Sequence, residues 1–351
     1  MACTWQRLRG TTLVTLSAAV MAGCAATGGV ASSAPLLRAG AGAKDRAAPA
    51  AFVAAVSGQG RSAMRGLAVF SASDGRLLRW IVRSKSGPTP VSVSPDGRRV
   101  YYYNQAAPRG RCPRRGFTEP VLWRVPADGG RPLRAGLSTT SIAFSPDGRM
   151  LAYTSSRRCG RTVLIVIRDR RTGAARRIVL VRNRLSGNAP VFSAGLSWAP
   201  DDVHLAVAAA PAAAINTLEV INARRATDLN RAAEIRPCAG AIAECLDPAF
   251  DTRGRLTFLK WLNETGGSPE WLARWNHGHT ARLLRLSAEQ SAGVSASIAV
   301  DRAGNAVLLA GGLRQPEIWR WSSGGVKLIL RSTRQFAVTS PLWVSGPMTA
   351  R

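Results

Sequence analysis

The chain has 351 residues and carries 48 Lys and Arg against 20 Asp and Glu, a net charge of +28. With 46% hydrophobic residues it can bury a core, which excludes a globally disordered chain. The basic residues are nearly all Arg, with Lys only at positions 44, 85, 260 and 327, and a net charge of this kind bears on solubility and nonspecific association, not on fold.

The N-terminus reads as an export signal. Arg7 and Arg9 precede an apolar run at 11–22 that is too short to span a bilayer, which needs about 20 residues. Met21-Ala22-Gly23-Cys24 then resembles a bacterial lipobox, with Met21 where Leu is usual and Cys24 as the thiol that accepts a diacylglyceryl group. Residues 1–23 are read as the lipoprotein signal peptide and 24–50, mostly Ala, Gly, Ser and Pro, as a flexible tether. The alternative is an ordinary secretory signal cut after 32–34. Export places the protein on the extracytoplasmic face of the cell membrane. Acidic lipids or anionic wall polymers then replace nucleic acid as the expected partner of a basic chain.

From residue 51 onward one pattern returns. SVSPDGRRVYYY at 92–103 reappears as AFSPDGRMLAYT at 143–154, with weaker copies at 197–208, 249–259 and 299–309. Ser94, Ser145, Ala199, Asp251 and Asp301 mark equivalent turns every 50–54 residues. Each copy is a strand, a tight turn built from Pro, Asp and Gly, and a second strand. A third strand follows at 67–70, 122–125, 164–167, 218–221, 272–275 and 318–321, and an edge-like fourth at 76–82, 174–181, 281–287 and 326–331. Four antiparallel strands per 50 residues form a propeller blade.

The ends set the blade number. The first blade lacks its first strand, and the segment at 340–346 is such a strand with nothing after it. The C-terminal strand therefore completes the N-terminal blade, and the domain at 51–346 is an all-β, six-bladed propeller of four-stranded antiparallel blades, followed by a tail at 347–351. Val93, Phe144, Trp198, Phe250, Val300 and Trp343 hold one position in the repeat, and their expected role is packing between blades.

The SPDG-R-hydrophobic motif, at Ser94 to Arg98 and Ser145 to Arg149, resembles that of the TolB-like, or WD-repeat-like, propellers of bacterial envelopes. The resemblance implies the fold. It implies little about function, since propellers host binding, scaffolding and many chemistries.

No catalytic constellation, metal site or cofactor is read from the residues. His277 and His279 flank Gly278 at a turn and lack a third ligand, and His204 reads as a structural strand residue. Once the signal is removed, Cys112, Cys159, Cys238 and Cys245 remain, an even set that reads as disulfides in an exported chain. Cys112 and Cys159 fall in equivalent loops of adjacent blades, and Cys238 and Cys245 in one connection between blades, so these are the expected pairs. Both would lie on one face of the ring. That face also gathers Arg61, Arg65, Arg109, Arg111, Arg114, Arg115, Arg157, Arg158 and Arg161, a set suited to carboxylate or phosphate ligands.

The resulting expectation is a monomeric, non-enzymatic envelope lipoprotein whose propeller binds or scaffolds a protein or an anionic envelope polymer. The alternative is a propeller enzyme of the hydrolase, lactonase or sugar-dehydrogenase kind, with its site in the central channel. A cluster of inward acidic or His residues would mark that second case.

Overall fold

A computed structural model of the chain describes residues 51–58, 65–104, 120–157, 162–182, 193–209, 217–229, 233–238, 243–262, 271–287, 297–311, 316–332 and 336–344. These residues form twenty-four strands in six four-stranded antiparallel sheets. The expected six-bladed propeller is the fold.

Blade 1 combines β24 (Phe336–Val344) with β1 (Ala51–Gly58), β2 (Arg65–Ser71) and β3 (Leu77–Ser84). Blade 2 holds β4 (Pro88–Val93), β5 (Arg99–Asn104), β6 (Val121–Pro126) and β7 (Leu133–Ser138). Blade 3 holds β8 (Ile142–Phe144), β9 (Met150–Arg157), β10 (Thr162–Asp169) and β11 (Ala175–Arg182). Blade 4 runs β12 (Ser193–Trp198), β13 (His204–Ala209), β14 (Thr217–Asn222) and β15 (Ala233–Ile235). Blade 5 runs β16 (Ala243–Phe250), β17 (Leu256–Leu262), β18 (Trp271–Asn276) and β19 (His279–Arg285). Blade 6 runs β20 (Ser297–Val300), β21 (Ala306–Gly311), β22 (Glu317–Ser322) and β23 (Gly325–Arg331). The ring closes through β24, which pairs with β1 from Ala51↔Val344 to Gly58↔Phe336.

The core follows from the two-residue period of a strand. In β1, Phe52, Ala54 and Val56 pack toward blade 6, while Ala51, Val53 and Ala55 pack toward blade 2. Both faces of a middle strand are thus apolar, as required of a sheet covered on both sides. Six buried clusters result, one in each seam between neighbouring blades. Among the described residues the seam between blades 2 and 3 is the leanest, with Tyr101, Leu122, Ile142 and Leu151 buried in it.

The SPDG turns show why the repeat uses those residues. Ser94 N–H donates to the Arg99 carbonyl at 2.9 Å and Gly97 N–H to the Ser94 carbonyl at 2.8 Å. Ser94 Oγ donates to Asp96 Oδ1 at 2.5 Å and accepts from Arg99 N–H at 2.9 Å, and Asp96 Oδ1 accepts from Arg98 N–H at 3.0 Å. Ser145 and Asp147 repeat the arrangement. Where Asp replaces the Ser, one carboxylate does both jobs. Asp251 Oδ1 accepts from the Arg253 and Arg255 N–H groups at 2.9 and 3.0 Å, and Asp301 Oδ1 from Asn305 and Ala306 at 2.7 and 3.1 Å. The degenerate copies keep the same turn by different chemistry.

Candidate functional site

The first strand of every blade, β24, β4, β8, β12, β16 and β20, faces the ring axis. Together they enclose a channel of about 610 Å³. The position three residues before the aromatic or Val that ends each of these strands lines the channel in all six blades: Pro90, Ser141, Gly195, Asp247, Ser297 and Ser340. Bulges fall at or beside this level in several strands, between Pro90 and Ser92 and between Leu246 and Ala249 among them. Asp247 and Ser340 there adopt left-handed backbone angles, φ +49° and +53°. Bulges re-aim side chains, and strained backbone gathers at ligand clamps.

Asp247 is the chemically distinctive member of this ring. Its side chain is half-buried in the channel wall, and desolvation there pushes its pKa up to about 7 against the one compensating hydrogen bond among the described residues, from the Ile298 N–H in blade 6. Ser297 Oγ, in the same lining and on the residue before Ile298, is buried and has no hydrogen-bond partner among the described residues. The sequence reading missed Asp247. The signal was available: in the repeat, Asp247 puts an acid where the other copies carry Ser, Gly or Pro.

The aromatic set performs its expected packing role in at least two blades. Trp198 and Trp343 are buried, and each indole reaches back to the preceding blade, Trp198 Nε1 to the Ala143 carbonyl at 3.1 Å and Trp343 Nε1 to that of Ala299 at 2.8 Å. Much of the Arg content on the turn side is also structural. Arg79 donates to the Ala127 carbonyl at 2.9 Å, Arg255 to Ala303 at 2.8 Å and Arg274 to Gly304 at 2.9 Å, each joining one blade to the next. Arg176 bonds the Arg224 carbonyl, and Arg149 pairs with Asp169 at 2.9 Å. These guanidinium groups satisfy carbonyls and, for Arg149, a carboxylate, a role that composition alone did not separate from surface charge.

The His residues are placed as expected. His204 opens β13 and is held on both sides, Nδ1 by Asp201 Oδ2 at 2.5 Å and Nε2 by Glu234 Oε2 at 2.9 Å, which ties the turn to β15. His277 and Gly278, at φ +44° and +88°, form the two-residue hairpin between Asn276 and His279. No group of three or more His, Cys, Asp or Glu able to hold a metal occurs among the described residues.

Cys238 and Cys245 are disulfide-bonded with Cα atoms 6.2 Å apart. Cys245 lies inside β16, not in the connection before it, because that strand begins at Ala243, earlier than its repeat signal indicates. Of the Arg set, Arg65 is exposed at the start of β2, and Arg157 ends β9 opposite Thr162. Cys24, Arg61, Arg109, Arg111, Cys112, Arg114, Arg115, Arg158, Cys159 and Arg161 lie outside the described residues.

No family model matches the sequence, and no characterised protein matches it in sequence. Solved structures do match in fold. TolB from Acinetobacter baumannii superposes with a TM-score of 0.59 at 14% identity, covering 84% of this chain and 66% of that one. The chain thus spans just under two thirds of the Acinetobacter protein. A provisional TolB from Agrobacterium tumefaciens gives a TM-score of 0.51 at 13% identity, over 83% of this chain and 91% of that one. A periplasmic gluconolactonase from Pseudomonas aeruginosa gives 0.47 at 14% identity, over 81% and 83%, a likeness too loose to argue from. At these identities the comparisons speak to architecture, and the chain is a six-bladed β-propeller of the shape shared by the TolB structures.

Proposed function

We propose that the protein is an extracytoplasmic binding propeller, held to the membrane by diacylglyceryl on Cys24 and a tether at 24–50, that docks a protein or an anionic envelope polymer on one rim. The observation that carries this reading is topological. β1 ends at Gly58 and β2 starts at Arg65, β5 ends at Asn104 and β6 starts at Val121, and β9 ends at Arg157 and β10 starts at Thr162. The three connections that hold the Arg set therefore spring from one rim of three successive blades. Connections on a rigid scaffold are where propellers and other β folds carry function. Guanidinium groups bind carboxylate and phosphate through paired hydrogen bonds, which suits an anionic partner. The Cys238–Cys245 disulfide fits an oxidising compartment, and the tether places the ring within reach of the membrane surface.

Cosedimentation with vesicles containing an anionic lipid, or with an anionic wall polymer, tests the rim. Loss of binding on replacing the rim Arg by Ser supports the reading, and undiminished binding contradicts it. The enzyme alternative called for a cluster of inward acids or His. Among the described residues the channel lining carries two carboxyls, Asp247 and Asp251, the second paired with Arg255, and no His.

A further inference from the structure

The axial channel supports an inference separate from the rim. We propose that it is a binding site for a small organic ammonium ion, taken by the carboxylate of Asp247 with Ser297 Oγ as a neighbouring acceptor. The charge distribution points there. Of the six strands that face the axis, β4, β8, β12, β20 and β24 contain no titratable side chain. On β16 itself the other acid, Glu244, is buried and does not line the channel, and Cys245 is in the disulfide. Behind β16, Lys260 of β17 pairs across the sheet with Cys245. The charged lining residues at the turn end are both engaged: Asp251 with Arg255 Nε at 2.6 Å, and Arg302 with the Pro95 carbonyl.

Asp247 therefore sits in the channel wall without a counter-cation among the described residues. Among the described residues its one stabilising contact is the Ile298 N–H, and desolvation leaves it about half protonated near pH 7. A carboxyl so placed gains most from a ligand that brings the missing positive charge. An ammonium group brings three N–H donors as well. The carboxylate takes one, and Ser297 Oγ, buried with no partner, takes another. A hard metal ion fits less well, since calcium asks for six to eight oxygen ligands and no acidic cluster surrounds Asp247. Space beside the carboxylate is kept open by Gly195. A Cβ there would stand 3.6 Å from Asp247 Oδ1 and 3.0 Å from Pro248 Cδ. The left-handed bulge at Asp247 fixes the carboxylate in place before any ligand arrives.

Binding of a cation must compete with the proton on Asp247, so it tightens with pH. Calorimetric titration of the purified full chain with ethanolamine and 1,4-diaminobutane, and with ethylene glycol and 1,4-butanediol as uncharged matches, tests this at pH 6 and pH 8. The ionised fraction of a carboxyl with pKa about 7 rises from about one tenth to nine tenths between these values, so amine affinity should rise about tenfold. The diols should not bind. Asp247→Asn should abolish amine binding and its pH dependence at an unchanged or higher melting temperature. Ser297→Ala, a smaller change, should weaken amine binding several-fold at an unchanged melting temperature, and it serves if Asp247→Asn does not fold. The proposal is overturned by wild-type protein that binds neither amine at millimolar concentration. Equal affinity at pH 6 and pH 8, or equal affinity in both the wild type and the variants, overturns it as well.

Discussion

Trp343, near the end of the last strand, donates its indole N–H to the Ala299 carbonyl of blade 6 at 2.8 Å, and Trp198 makes the same bond to Ala143 one seam elsewhere in the ring. Trp343 does so while its strand pairs with β1, so it belongs to the clasp that joins the first and last strands of the ring. Trp343→Phe keeps most of the buried ring and strands one buried carbonyl, at a cost of about 1–3 kcal/mol. Trp198→Phe should cost the same. Trp343→Ala should cost more, about 3–5 kcal/mol, and deletion from Ser340 onward should expose the β1 edge and lower solubility. Urea unfolding and sedimentation check these outcomes, and an unchanged melting curve for the deletion would mean that the ring does not depend on this clasp.

Gly304 of blade 6 lies close against Asp251 and Arg255 of blade 5. A Cβ at this position would lie 2.0 Å from Asp251 Oδ2 and 2.6 Å from an Arg255 guanidinium nitrogen, on a backbone with φ +67°. Gly304→Ala must therefore displace the Asp251–Arg255 pair from the seam. A loss of about 2–4 kcal/mol is expected in urea unfolding, from backbone strain added to a disturbed buried ion pair. Gly278→Ala provides the contrast, because its turn has open space around it and pays the φ penalty alone, about 1 kcal/mol.

His204 gives the fold a measurable pH dependence. Burial opposes its charge, but the hydrogen bonds and negative charges of Asp201 and Glu234 outweigh that and raise its pKa above the ordinary value of 6.5. A raised folded pKa means that the stabilisation is complete below the unfolded value and fades as pH rises through the folded one. Wild type should exceed His204→Gln in stability at pH 5.5, by no more than about 1 kcal/mol because the side chains are partly exposed, and the gap should close by pH 8.5. A gap that widens with pH would contradict the two-carboxylate arrangement.

The blade count and the closing strand were legible because the turn chemistry repeats every 50–54 residues and because the final strand had no successor. Two outer strands, β7 and β15, escaped notice. β7 is largely solvent-facing and β15 spans only three residues, so neither shows a sustained apolar alternation. Asp247 was missed for a different reason. A half-buried acid on an inner strand looks like any loop Asp until the repeats are aligned on the channel. The roles of Arg255 and Arg274 depend on carbonyls 30–48 residues away, in the next blade, which no local pattern encodes.

The lean seam between blades 2 and 3 lies where the proposed Cys112–Cys159 bridge would cross. The Tyr101 and Phe144 rings meet there tilted, with centroids 4.9 Å apart, and β8 contributes only three residues. By loop closure that bridge would stabilise the fold by up to about 4 kcal/mol and Cys238–Cys245 by up to about 2.5 kcal/mol. Paired Cys→Ser replacement should follow this order in urea unfolding. Peptide mapping without reductant should recover Cys112 linked to Cys159. Linkage of Cys112 to Cys238 or Cys245 would refute the arrangement of loops on which the binding rim rests.

The binding rim is tested most directly by exchanging equal amounts of charge on the two faces of the ring. One variant replaces Arg111, Arg114, Arg115, Arg157 and Arg158 by Ser, all on or beside the connections of blades 2 and 3. The other replaces Arg76, Arg98, Arg131, Arg171 and Arg253, which are exposed on the turn face; Arg149 and Arg176 are left intact because they hold Asp169 and the Arg224 carbonyl. Both variants lose the same net charge, so a purely nonspecific attraction must fall equally in both. Cosedimentation with anionic vesicles or wall polymer should show the rim variant weakened more than tenfold and the turn-face variant only a few-fold. Equal losses would mean that net charge alone drives association, and that this rim is not a binding face.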